Sequence, residues 1–109
     1  MAYEVNGVEL ETDEEGYLLE PNYSDEIVPL IAAAEGLAMN DDRWAIVNYM
    51  REQYKEHGHT PTFRNMLKDW EKIRPGTDSK YLYTQFPEMP AKQAAKVAGL
   101  PKPYGKGGY

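Results

Sequence analysis

Residues 40–73, NDDRWAIVNYMREQYKEHGHTPTFRNMLKDWEKI, carry the strongest helical periodicity of the chain. Trp44, Val47, Met50, Arg51 and Tyr54 recur at steps of three and four, the spacing of a stripe that faces a core. Asn40 is suited to cap a helix over 41–57, and Asp41 and Asp42 complement the positive end of its dipole. Gly58 stops it. Thr60 followed by Pro61 is a cap with a proline at the first helical position, so a further helix is expected to start there. Its inward face is Phe63, Met66, Leu67, Trp70 and Ile73, and Pro75-Gly76 breaks it. Two helices joined by the short turn His57-Gly58-His59-Thr60 have the form of a helix-turn-helix.

Upstream the period changes from helical to alternating. Tyr3-Glu4-Val5 and Val8-Glu9-Leu10 flank Asn6-Gly7, a dipeptide that favours the left-handed conformations of a two-residue hairpin turn. Tyr17-Leu18-Leu19 offers a third short strand. Ser24 is a candidate cap for a first helix with Ile27, Ile31 and Leu37 inward, ending near Gly36. Downstream, Ser79 opens a short helix with Tyr81, Leu82 and Phe86 buried or half-buried. Pro90 to Ala98 forms an Ala/Lys helix that stops at Gly99. Leu100-Pro101-Lys102-Pro103-Tyr104-Gly105 is too rich in Pro and Gly for helix or sheet, and is expected to be stiff, extended and solvated. The fold class is therefore α+β but mostly α: an N-terminal β-hairpin, about five helices and an extended C-terminal arm. The domain is expected to span residues 1–99 and the flexible arm 100–109.

The 109 residues suffice for one modest core. Hydrophobic residues at 41% and aromatic residues at 12% fit a folded chain rather than a disordered one. No apolar run approaches the roughly 20 residues of a membrane span. The start Met-Ala-Tyr-Glu lacks the basic and apolar parts of a signal peptide, so a cytoplasmic monomer is expected, without membrane contact. There is no cysteine, which excludes a disulfide scaffold, a thiolate metal site and any thiol relay on this chain.

The net charge of −6 is unevenly spread: residues 1–42 hold twelve Asp or Glu and no Lys or Arg, whereas residues 89–109 hold four Lys and no acid. The acidic front opposes generic nucleic-acid affinity, while the basic tail suits an anionic partner.

No Gly-rich phosphate loop, Ser-His-Asp ordering or spaced carboxylate pair stands out, so no catalytic residue, cofactor, metal or small-molecule substrate is expected. His57 and His59 lack a third metal partner in sequence. Arg64, Lys68 and Lys72, four apart, form one basic stripe, and with Asn65 they are the candidate DNA contacts of a helix-turn-helix. Asp69 and Glu71 interrupt that surface.

The tail KQAAKVAGLPKPYGK, residues 92–106, resembles the C-terminal arm of the DsrC/TusE/DsvC family of sulfur-relay proteins. The family pattern runs K-Q-A-C, a short gap, then A-G-L-P-K-P-x-G-C. Asp13-Glu14-Glu15-Gly16-Tyr17-Leu18, Ser79-Lys80-Tyr81-Leu82-Tyr83 with Phe86-Pro87, Trp44, Met50-Arg51 and Thr60-Pro61 are similar to further family segments in the same order. The resemblance implies a small helical domain with an N-terminal hairpin. It also implies an arm that inserts into a partner such as dissimilatory sulfite reductase, or hands sulfur along a tRNA-thiolation relay. The two cysteines that would carry sulfur correspond to Ala95 and Lys106, neither of which is a sulfur nucleophile. The expected function is thus non-catalytic: a cysteine-less member that docks through residues 100–105 on a sulfur-metabolism partner, or competes for it, and so regulates flux. The alternative is a helix-turn-helix regulator that binds DNA at sulfur genes.

Overall fold

The computed structural model describes residues 2–103. Strands β1 (Ala2–Val5) and β2 (Val8–Glu11) pair antiparallel, with Val5 opposite Val8. The turn between them places both Asn6, at φ 52°, and Gly7, at φ 80°, in the left-handed region that a two-residue hairpin of this twist demands. Beyond β2 the chain makes one bridge, Thr12 to Leu18, so the expected third strand reduces to a single pair. Asp13 explains the interruption. Its carboxylate accepts from the backbone N–H groups of Glu15 and Tyr17, folding 13–17 into a tight Asx turn that drives Tyr17 and Leu18 inward.

Helices α1 (Ile27–Ala34), α2 (Asp41–His57), α3 (Phe63–Ile73), α4 (Ser79–Gln85) and α5 (Pro90–Val97) follow. The Asn40 side chain caps α2 by accepting from Arg43 N–H at 2.7 Å, and Gly58 ends it. Two starts differ from the sequence expectation. Helix α1 begins at Ile27 rather than just after Ser24, because Ser24 is engaged in its own turn: its N–H donates to Asn22 Oδ1 and its hydroxyl accepts from Glu26 N–H. Helix α3 is capped by Thr62, which accepts from Asn65 N–H, so Thr60-Pro61 lies one step before the helix. That shift leaves Thr60 buried, and Ile73 at the far end is 54% exposed instead of inward.

Helix α5 is the centre of the bundle. It is among the shortest helices, yet it packs against α1, α2, α3 and α4. Pro90, Ala91, Gln93, Ala94, Ala95 and Val97 are all buried. Alanines supply no bulk to hold neighbours away, so larger side chains close directly on its backbone. Ile27, Ile31, Ile46, Met50, Met66, Trp70, Leu82 and Phe86 complete the core. Trp70 meets Tyr49 edge-to-face at 5.8 Å between ring centroids.

Leu100 overturns the solvated start of the arm. It is completely buried and belongs to the core, so the packed chain runs one residue past Gly99. Pro101 and Pro103 are partly covered, and only Lys102 of the described arm residues is exposed. Tyr104, Gly105 and Lys106 lie outside the described residues.

Candidate functional site at the root of the C-terminal arm

The end of α5 determines where the arm leaves the domain. Leu100 N–H donates to Ala95 O, and Gly99 N–H to Lys96 O, each at 3.1 Å. This pair of bonds is a Schellman termination, which needs a left-handed residue at its penultimate position. Gly99 takes it at φ 80°, and a Cβ there would also collide with Asn22 O. Two independent constraints therefore demand glycine. The carbonyl of Gly99 accepts from Asn22 N–H at 2.8 Å, tying the arm root to the segment before α1. The motif's usual hydrophobic contact is supplied by buried Leu100.

Arg51 of α2 locks the same corner. Its Nε donates to Ala98 O at 3.0 Å, Nη2 to Ser24 O at 2.9 Å and Nη1 to Asp25 Oδ1 at 2.7 Å. One guanidinium thus occupies two loop carbonyls and one carboxylate, the planar multi-donor geometry that lysine could not reproduce. Arg51 is 5% exposed while Asp25 is open to water, so the carbonyl bonds rather than the ion pair fix its position.

Beside this corner lies a polar groove. Glu35, at the end of α1, accepts from Gln93 Nε2 at 3.2 Å and pairs with Lys96 Nζ at 3.3 Å. Gln93 Oε1 accepts from Glu88 N–H, so the buried carboxamide is used at both ends. Lys96 Nζ also sits 4.9 Å from the centroid of the Tyr17 ring. Burial first, then the charges of Glu15, Asp13 and Glu35, push the Tyr17 hydroxyl up to about 12. It remains a neutral donor, reaching Lys92 O at 3.4 Å. Along the rim Lys102 pairs with Glu15 at 2.6 Å, and that hydrogen bond is the main reason its ammonium titrates above the usual lysine range. Both partners are about half exposed, so the pair is a weak latch. The acidic Asp13–Glu15 turn is therefore where the arm first lies down.

Ala95 contributes a methyl group that is fully buried and a carbonyl that closes the Schellman motif. Arg64, Asn65, Lys68 and Lys72 are all exposed on α3. Asn65, Lys68 and Lys72 share one cleft with Gln53, His57 and His59, and Arg64 lies outside it. Sequence reasoning placed Arg51 on the inward stripe of α2 but missed its clamp on the arm root, for which an arginine within an apolar stripe was the available signal. It also missed Glu35, Gln93 and Tyr17. A glutamine inside a run of alanines was the only hint, since the partners lie some sixty residues apart.

The chain matches the family model "DsrC like protein" over residues 4–106. It belongs to the DsrC-like family. It is 41% identical to the sulfurtransferase TusE homolog of Haemophilus influenzae over 104 residues, 91% of this chain and 94% of that protein. It is likewise 41% identical to the sulfurtransferase TusE of Escherichia coli K12 over 100 residues, 89% of this chain and 92% of that one. Among solved structures it is similar to Allochromatium vinosum DsrC, with a TM-score of 0.86 at 39% identity, covering 96% of this chain and 98% of that one. The oxidized gamma-subunit of dissimilatory sulfite reductase from Archaeoglobus fulgidus gives a TM-score of 0.84 at 32% identity over the same shares. The hairpin-and-helices fold is thus that of DsrC proteins, and the family's business is sulfur relay and sulfite reduction. No helix among the described residues is long and apolar enough to cross a membrane.

Proposed function

We propose that this chain is a binding member of the DsrC-like family that carries no sulfur and catalyses nothing. It docks through the arm, residues 100–109, on a sulfite reductase or sulfur-relay partner, and competes there with cysteine-bearing relatives. Regulation of flux follows from that competition. The observation that carries this reading is a split between frame and chemistry. The seat of the arm is built in full by Gly99, Leu100, Arg51 and Asn22, while Ala95 fills its place with a buried methyl and the chain has no thiol at all. A persulfide needs a thiolate to accept sulfane sulfur, and neither Ala95 nor Lys106 supplies one. Lys102 and Lys106 leave the arm able to engage carboxylates.

Duplex binding through Arg64, Asn65, Lys68 and Lys72 is the competing function. It is favoured by the exposure of all four side chains on one helix and opposed by the acidic front half. Binding to purified sulfite reductase and to relay complexes, measured by calorimetry with and without a cysteine-bearing relative, separates the two. The informative truncation removes residues 102–109, because deleting Leu100 would damage the core. Loss of affinity by more than about tenfold is expected on truncation, with mutual exclusion by the relative. Equal binding by the truncated chain would refute arm docking. Retardation of a promoter fragment that Arg64→Ala and Lys68→Ala abolish would establish the duplex function instead.

A further inference from the structure

We propose that the cleft between the end of α2 and the outer face of α3 is a binding site for a small, multiply charged phosphate-type anion of the pyrophosphate class, and that binding takes up protons. The cleft has a volume of about 370 Å³, within the range of small-molecule sites. Apart from Pro61 and Asp69, its walls are side chains that can donate. Gln53 and His57 come from α2, His59 from the linker, and Asn65, Lys68 and Lys72 from α3. Lys68 and Lys72 stand one turn apart on one face, roughly 6 Å between their Cβ atoms. The two imidazoles of the same cleft stack with centroids 5.9 Å apart and planes 26° from parallel. Lys68 and Lys72 thus offer two ammonium groups one turn apart, which fits an anion with two charged ends better than a single orthophosphate.

Neither Lys68 nor Lys72 has a salt bridge among the described residues. In the arm-root groove Lys96 is neutralised by Glu35 and Lys102 by Glu15. In the cleft the one carboxylate, Asp69, is already engaged: Tyr49 donates its hydroxyl to Asp69 Oδ2 at 2.6 Å. Desolvation, and then that bond, raise the Tyr49 hydroxyl above the usual tyrosine range, so it stays a donor. Two further acids lie near the site: Glu56, whose Oε2 is 4.0 Å from His57 Nε2, and exposed Glu71, next to Lys72 on α3. The charged and titratable groups to be reckoned with are thus His57 and Glu56 from α2, His59 from the linker, and Lys68, Asp69, Glu71 and Lys72 from α3.

The proton linkage follows from the hydrogen bond of His59. Its Nδ1 lies 3.2 Å from Thr60 O, so Nδ1 carries the hydrogen and donates it. In the neutral ring Nε2 then presents a lone pair, which repels an anion. Protonation converts Nε2 into a donor and adds a charge. An anion seated there favours that protonation, so affinity rises as pH falls.

The test is calorimetry and amide-shift titration of the full chain with sodium pyrophosphate at about pH 6 and about pH 8, at matched ionic strength. Amide shifts confined to residues 53–72 and affinity about tenfold higher at the lower pH are expected. Lys68→Gln with Lys72→Gln weakens binding by at least about tenfold, while Arg64→Gln, outside the cleft on the same helix, changes it less than about twofold. His57→Gln with His59→Gln removes the pH dependence. These side chains are on the surface, and a circular dichroism melt confirms that each variant folds. ADP binding as tightly as pyrophosphate would place the source among nucleotides, and binding of pyrophosphate alone would place it with the free ion. Shifts spread equally over Lys92 and Lys102, displacement by sulfate at the same ionic strength, or pH dependence that survives both histidine substitutions would overturn the proposal.

Discussion

Helices α2 and α5 make opposite use of their sequences. Helix α2 is long, announced by its cap, its first-turn acids and its stopping glycine, and it leaves one side to water. Helix α5 is less than half as long, enters through Met89 in a left-handed conformation at φ 67°, has no side-chain cap, and buries six of its eight residues. Local chemistry suffices to explain α2; α5 has Pro90 at its start and Gly99 at its end, but its surroundings hold it. A short helix of this kind is marginal in isolation and is held by the elements that close on it. Those same elements end at the arm root, so whatever stabilises α5 also aims the arm.

The largest effect should come from cutting α5 loose from its seat. Leu100→Ala removes a wholly buried side chain at the Schellman corner and is expected to cost about 3 kcal/mol, measured by urea or guanidinium unfolding. Retention of wild-type stability would mean that the corner is set by backbone bonds alone. The variant would then be the better tool for freeing the arm without touching its charges.

A middle-sized effect belongs to α2. Asn40→Ala deletes the bond from Arg43 N–H, and a cap of this kind is worth about 1 kcal/mol. For a domain of this size that lowers the melting temperature by roughly 4–8 °C. Docking to a sulfur-metabolism partner should be unaffected at temperatures well below the transition, since the arm root does not depend on that cap. A loss of docking would show that α2 acts on the arm through more than Arg51.

What could be read in advance divides along the same line. Asn40, Asp41, Asp42 and Gly58 act on residues within one turn of themselves, so their signals survive in a linear string. The hairpin is legible for the same reason, through Asn6-Gly7. The starts of α1 and α3 slipped because Ser24 and Thr60 have the right chemistry but other duties: Ser24 serves an Asx-type turn and Thr60 is buried. Leu100 was misjudged because prolines on its C-terminal side argue for solvent, while the Gly99 turn that sends it inward depends on Asn22, far away in sequence. The Glu35–Gln93–Lys96 cluster leaves no local trace beyond Gln93 among its alanines, because Glu35 is distant in sequence. The family resemblance located the arm, but the clamp formed by Arg51 became visible only with the fold.

The smallest effect concerns pH on the α5 side. The Tyr17 hydroxyl is held near 12 in the folded chain, above the ordinary value of 10.0 that it regains on unfolding. A raised value means that the folded state resists losing the proton, so the associated stability is complete below pH 10.0 and declines as pH climbs toward 12. Tyr17→Phe should flatten that decline while costing little at neutral pH, because the bond to Lys92 O is long at 3.4 Å. Ultraviolet titration of phenolate absorbance should show the same group ionising late in the wild type. Tyr49, also raised, provides the internal control on α2: it should remain late in the Tyr17→Phe variant. If that variant keeps the full alkaline loss of stability, the decline arises at Tyr49, and the arm-root groove is less tightly closed around Tyr17 than its burial indicates.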